Sequence, residues 1–104
     1  MTEMMTTDVR AIMDRTPFDA SAVADLREVL NRDPSRYRTL RDAVSTIRDR
    51  EKKEPSGTPE SFLRLGVGEV LLGRYSAGLV CLKNAGDLGM ALYFQGLAYE
   101  NLQK

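Results

Sequence analysis

The sequence predicts an all-α protein made of antiparallel helical hairpins. Three observations carry this. Apolar residues recur every three or four positions rather than alternating, clusters of turn-forming residues cut the chain into helix-length pieces, and helix start and stop signals fall at those cuts. The cuts are Asn31-Arg32-Asp33-Pro34, Glu54-Pro55-Ser56-Gly57-Thr58-Pro59 and Asn84-Ala85-Gly86-Asp87. No stretch reads as a strand. A chain of 104 residues has the length of one domain, so a single helical domain over residues 1–104 is expected.

In chain order, a first helix is expected near 6–14. The second, near 20–31, carries the apolar stripe Ala22, Leu26, Val29 and Leu30. The third, near 35–53, carries Tyr37, Leu40, Ala43, Val44 and Ile47 and can be capped by Asp33 or Ser35. Its last turns, RDREKKE at 48–54, read as a solvated helix end with the opposite-sign pairs Asp49–Lys53 and Arg50–Glu54 four residues apart. The fourth helix, near 59–72, has Thr58 as N-cap, Pro59 in its first turn and Glu60 as an early acid that suits the helix dipole. Gly73 ends it and permits a tight turn into the fifth, near 75–85. Asp87 can start the sixth, near 88–102.

The fourth and fifth helices have a packing logic. Gly66, Gly78 and Ala85 are small, which lets two antiparallel helices approach closely, while Phe62, Leu65, Tyr75 and Leu82 fill the space around them. The order Phe62, Leu65, Gly66, Gly73, Tyr75, Gly78, Leu82, Ala85 resembles the tetratricopeptide repeat, with Glu69 standing where that family has tyrosine. Leu92, Gly96, Ala98 and Tyr99 resemble the opening of a second copy, beginning near residue 89. A degenerate earlier copy is traced by Ala22, Leu26, Val29 and Pro34, followed by Leu40, Ala43, Val44 and Ile47. The resemblance implies hairpins stacked as a short right-handed solenoid. Residues 1–54 would form a degenerate helical part, and 59–102 a hairpin plus the first helix of a next repeat.

Several function classes are excluded by composition. The chain has no histidine and one cysteine, so it lacks a Ser-His or Cys-His nucleophile pair, an imidazole zinc ligand and an internal disulfide. Cys81, between Val80 and Leu82, reads as a small buried thiol. The string Leu65-Gly66-Val67-Gly68-Glu69 holds a GxG inside a helix, with neither the preceding strand nor the third glycine of a dinucleotide site. Carboxylates at Asp14, Asp19, Asp25, Asp42, Asp49 and Glu69 read as surface solubility, without calcium-loop spacing. No catalytic residue, metal or cofactor is expected, and the chain reads as non-enzymatic. MTEMMTTDVRA carries acids where a secretory signal carries lysine or arginine, so the expected location is the cytoplasm.

The charge is zero overall and uneven along the chain. Residues 27–53 hold nine basic side chains against five acids. Arg38, Arg41, Ser45 and Arg48 share one face of the third helix, about 100° around from its apolar stripe. In the resembled family, the first helices of successive repeats line a concave peptide groove. That implies a groove containing Arg38, Arg41 and Arg48, with Leu63, Val67 and Val70 from the next first helix and Tyr93 and Leu97 from the one after. Such a groove suits a protein or peptide partner with an acidic residue or terminal carboxylate beside hydrophobic anchors.

The sixth helix carries Met90, Ala91, Leu92, Tyr93, Phe94, Leu97, Ala98, Tyr99 and Leu102, apolar on more than one face, and must be covered on more than one side. Homo-oligomerisation through 88–102, or stacking of a further repeat, would cover it. The expected function is a scaffold or adaptor for protein binding. The alternatives are a small helical chaperone for a secreted or aggregation-prone partner, and a weak nucleic-acid binder through helix 35–53. The acids Asp42, Asp49 and Glu51 interrupt the basic run that nucleic acid would require.

Overall fold

The computed structural model describes residues 8–86 and 88–103, which form six helices and no strand. They are α1 (Val9–Met13), α2 (Ala20–Arg32), α3 (Arg36–Lys53), α4 (Pro59–Leu71), α5 (Tyr75–Lys83) and α6 (Gly89–Leu102). The five later helices begin and end within two residues of their predicted limits. The first is shorter than expected. It opens at Val9 behind Asp8, whose carboxylate accepts the Arg10 N–H at 2.9 Å, and the start expected at residue 6 lies outside the described residues, as does Asp87. No helix among the described residues is long and apolar enough to cross a membrane.

The ends follow from local chemistry. Asp19 caps α2 by accepting the Ala22 N–H at 3.1 Å, and Thr58 caps α4 by accepting the Ser61 N–H at 3.2 Å. Asp33 organises the entry to α3, accepting the Ser35 N–H at 3.2 Å and the Ser35 hydroxyl at 2.6 Å. At the end of α4, Gly73 takes φ +83°, the left-handed conformation that a Cβ disfavours. Its N–H donates to the Val70 carbonyl at 2.9 Å while the Arg74 N–H donates to the Glu69 carbonyl at 2.8 Å. These two bonds are the Schellman pattern, which satisfies carbonyls the helix would otherwise leave bare.

Helix α4 is the hub, packed by α3, α5 and α6. Every residue from Leu65 to Val70 is buried, so this stretch has no solvent face. Glycines make that crowding geometrically possible. A Cβ on Gly66 would lie 2.6 Å from the Leu82 side chain and 3.2 Å from the Leu82 backbone nitrogen, and one on Gly78 would lie 2.6 Å from Val70 Cγ2 and 3.2 Å from the Gly66 carbonyl oxygen. The predicted close approach of the hairpin is therefore present. On another side of α4, a Cβ on Gly68 would lie 2.6 Å from Val44 Cγ2 and 3.1 Å from Met13 Cε, which brings α3 and α1 equally close.

The core runs as one cluster from Val9, Ile12 and Met13 through Leu26, Leu30, Leu40 and Val44 to Leu82 and Phe94. Polar contacts tie the α1–α2 connection onto α4. The Phe18 N–H donates to Glu60 Oε2 at 2.8 Å, Arg64 donates to the Arg15 carbonyl at 2.8 Å, and the Arg64 guanidinium lies 5.5 Å from the centre of the Phe18 ring. At the far end of α3, Arg50 reaches across to Asp14 at 3.2 Å, a tertiary contact in place of the expected helical pair with Glu54.

Alanine substitution has opposite expected signs at different glycines. Gly66→Ala and Gly78→Ala should destabilise by roughly 1–3 kcal/mol, because the clashing Leu82 is fully buried and Val70 nearly so. Gly96→Ala meets nothing within 4 Å and should stabilise by up to about 1 kcal/mol through helix propensity. Urea unfolding of the three variants checks both signs.

Candidate functional site

The most distinctive chemistry begins at Glu69. Read from sequence as a surface acid, it is only 3% exposed, in the all-round buried stretch of α4. An ionised carboxylate there requires partners. Arg48 of α3 donates from Nη2 to Oε2, and Arg74 donates from Nη1 to Oε1 at 3.2 Å. Arg74 is brought there by the Schellman turn, which bonds its backbone N–H to the Glu69 carbonyl and folds its side chain back over the same residue. The carboxylate thereby joins α3, α4 and the α4–α5 turn.

Beside this cluster lies an open groove of about 610 Å³ lined by Tyr37, Arg38 and Arg41 of α3 and by Leu71, Leu72, Gly73, Arg74 and Tyr75 of the turn and α5. Three arginines and two tyrosines converge on it, with leucine side chains in its wall. The Arg38 guanidinium has no ion-pair or hydrogen-bond partner among the described residues. The Asp42 carboxylate, four residues on, lies 3.9 Å from both Arg41 and Arg10. Glu69, the one buried acid among the described residues, is shared between two guanidiniums, so the groove keeps a positive surplus. That arrangement can accept a carboxylate or another anionic group through charge-assisted hydrogen bonds while aromatic and leucine surfaces take an adjacent apolar side chain.

The sequence-predicted groove is brought together only in part. Arg38 and Arg41 line the observed groove. Arg48 is turned to Glu69, and its partner, 21 residues away, leaves it committed to the interior cluster rather than to a ligand. Leu63, Val67 and Val70 are 4%, 0% and 6% exposed, so they are core residues rather than groove lining, because α4 is covered on every side. Tyr93 is exposed on α6 and Leu97 is partly buried against the core, both away from the basic residues. Tyr37, assigned to the apolar stripe of α3, is exposed at the groove. Sequence reasoning missed Arg74 and Tyr75 as site residues. The available signal was Gly73, since the residue after a C-terminal glycine folds back over the last helical turn.

Cys81 on α5 is half-buried, and burial first, then the Glu69 carboxylate, pushes its thiol above the usual range, with Arg48 opposing. Among the described residues no group of three or more carboxylate or cysteine side chains could hold a metal ion. No family model matches the chain, and neither the curated proteins nor the solved structures give a match.

Two outcomes test this cluster. Either arginine alone can neutralise Glu69, so Arg48→Met or Arg74→Met should each cost no more than about 1 kcal/mol. The double variant strands a buried carboxylate and should cost about 3 kcal/mol or more, well above the sum, in a double-mutant cycle by chemical denaturation. Iodoacetamide should alkylate Cys81 slowly at neutral pH, with the rate rising only at a pH above that needed by an unfolded control, since the thiolate is the reacting form.

Proposed function

We propose that this chain is a non-enzymatic protein-interaction module whose basic groove takes an acidic segment of a partner protein. The observation that carries the reading is the convergence of Arg38, Arg41 and Arg74 with Tyr37 and Tyr75 on one open groove, with the Arg38 guanidinium lacking a partner among the described residues. An acid next to an aromatic or aliphatic side chain matches that lining: the acid meets the guanidiniums and the apolar neighbour meets Leu71, Leu72 and the tyrosine rings. The tetratricopeptide-like arrangement is part of the same reading, and a short right-handed solenoid of hairpins is the architecture proposed for it. Its support is the close pairing of α4 and α5 over Gly66 and Gly78, with α6 packed next to α5. We place the module in the cytoplasm, where Cys81 remains a thiol.

A protein segment is favoured over nucleic acid by the acids interspersed on α3. Asp42 is exposed next to Arg41, and Asp49 and Glu51 follow along the helix, so the arginines do not form an uninterrupted track for a phosphate backbone.

Fluorescence anisotropy with labelled peptides tests the reading. An acidic peptide containing phenylalanine or leucine beside its glutamates should bind, a lysine-substituted counterpart should not, and added salt should weaken binding. Arg38→Ala combined with Arg41→Ala should reduce affinity about tenfold or more. Equal affinity for both peptides, or preference for single-stranded RNA over the acidic peptide, would overturn the proposal.

A further inference from the structure

The basic groove offers more donors than one carboxylate can use. Its lining includes no acid. The Arg38 guanidinium is without a partner among the described residues, and that of Arg41 has only Asp42, 3.9 Å away, which is too long for a hydrogen bond. Arg74 commits Nη1 to Glu69 and keeps Nε and Nη2 without a partner among the described residues. Both Arg41 and Arg74 reach solvent, their side chains 57% and 41% exposed. Two complete guanidinium forks and most of a third are therefore open to a ligand.

The charge count points the same way. Asp42 lies between Arg41 and Arg10, and Glu69 between Arg48 and Arg74. With Arg38 included, five guanidiniums share two carboxylates, so three positive charges are left over around the groove. A glutamate side chain brings one negative charge and two oxygens. A phosphate monoester brings a charge of about −1.5 to −2 at pH 7 and three acceptor oxygens, which suits several guanidiniums at once. Arg38 and Arg41, three residues apart, are neighbours on the surface of α3, while Arg74 comes from the α4–α5 turn, so an anion that accepts in three directions can engage all of them. We propose that the groove recognises a phosphorylated side chain of the partner protein, its phosphate held by Arg38, Arg41 and Arg74 and an adjacent apolar side chain resting on Leu71, Leu72 and the tyrosine rings. This rests on the acidic-segment reading of the same groove and names the anion. The leucines and tyrosines beside the arginines favour a phosphate carried on a protein segment over a free phosphate, which has no apolar part to place there.

Fluorescence anisotropy with three labelled peptides of one sequence tests it, carrying phosphoserine, one glutamate or two successive glutamates before a phenylalanine. The single-glutamate peptide should bind, and the phosphoserine peptide should bind about tenfold more tightly or better. It should also outbind the two-glutamate peptide, which matches its charge but not the placing of its oxygens. Arg74→Met, with folding checked by far-UV circular dichroism, should cut the phosphoserine advantage to about twofold while the glutamate peptide still binds. If that variant does not fold, Arg41→Met at an exposed position supplies the same comparison. Inorganic phosphate should displace the phosphopeptide only at concentrations about a hundredfold higher or more. Equal binding of the phosphoserine peptide and either glutamate peptide, or an advantage unchanged in the folded arginine variant, would overturn the phosphate assignment and leave the acidic-segment reading standing. Binding of none of the three peptides would overturn both, and inorganic phosphate competing as well as the phosphopeptide would overturn recognition of a protein-borne phosphate.

Discussion

The structure depends on one constraint: α4 is buried on every side from Leu65 to Val70. A helix of ordinary girth cannot accept close neighbours all round, and this one accepts them because it is notched. Gly66 and Gly68 lie two residues apart, about 200° around the helix, so they thin it on opposite sides. Leu82 of α5 enters one notch, and Val44 of α3 with Met13 of α1 enters the other. Both halves of the chain are thus drawn onto a single element, and the core becomes one cluster rather than two separate hairpin interiors.

The same crowding dictates the chemistry at position 69. A side chain there cannot reach water, and a leucine would pack without the desolvation cost that an acid carries, so stability alone does not account for Glu69. What the carboxylate does is hold two guanidiniums in place, one from α3 and one from the turn after α4. Arg74 is fixed twice, by its side chain to the carboxylate and by its backbone to the carbonyl of the same glutamate. With one acid between two arginines, the neighbouring surface retains positive charge where Arg38 and Arg41 already stand. The basic groove is in this sense a consequence of how α4 is buried.

Most of the helical framework was legible because its signals are local. Thr58 with Pro59 starts α4, Gly73 stops it, and the small residues Gly66 and Gly78 announce a close helix pair, all within short stretches of sequence. The site was less legible because it depends on distant partners. Leu63, Val67 and Val70 have the spacing of an exposed apolar stripe, and only the arrival of other elements on all sides turns them into core. Arg48 belongs by spacing to the same face as Arg38 and Arg41, yet Glu69, far along the chain, claims it. Arg50 likewise leaves its helical neighbour for Asp14. In each case a contact across the fold overrode a pairing that helix periodicity allowed.

The distribution of charge gives the two ends of the molecule different physics. On α3 and the α4–α5 turn, long-range attraction would recruit a partner, and it fades as salt shortens the reach of each guanidinium. On α6 there is little charge to screen, and removal of apolar surface from water is the available driving force, which salting-out ions strengthen. Carrying both on one small domain is feasible because the buried stretch of α4 lies between them, joining the basic half to the charge-poor half through side chains withdrawn from solvent. A ligand in the groove would therefore meet Arg74, held from behind by Glu69, beside Arg38 and Arg41, while α6 packs on α4 and α5 and takes no part in the groove lining.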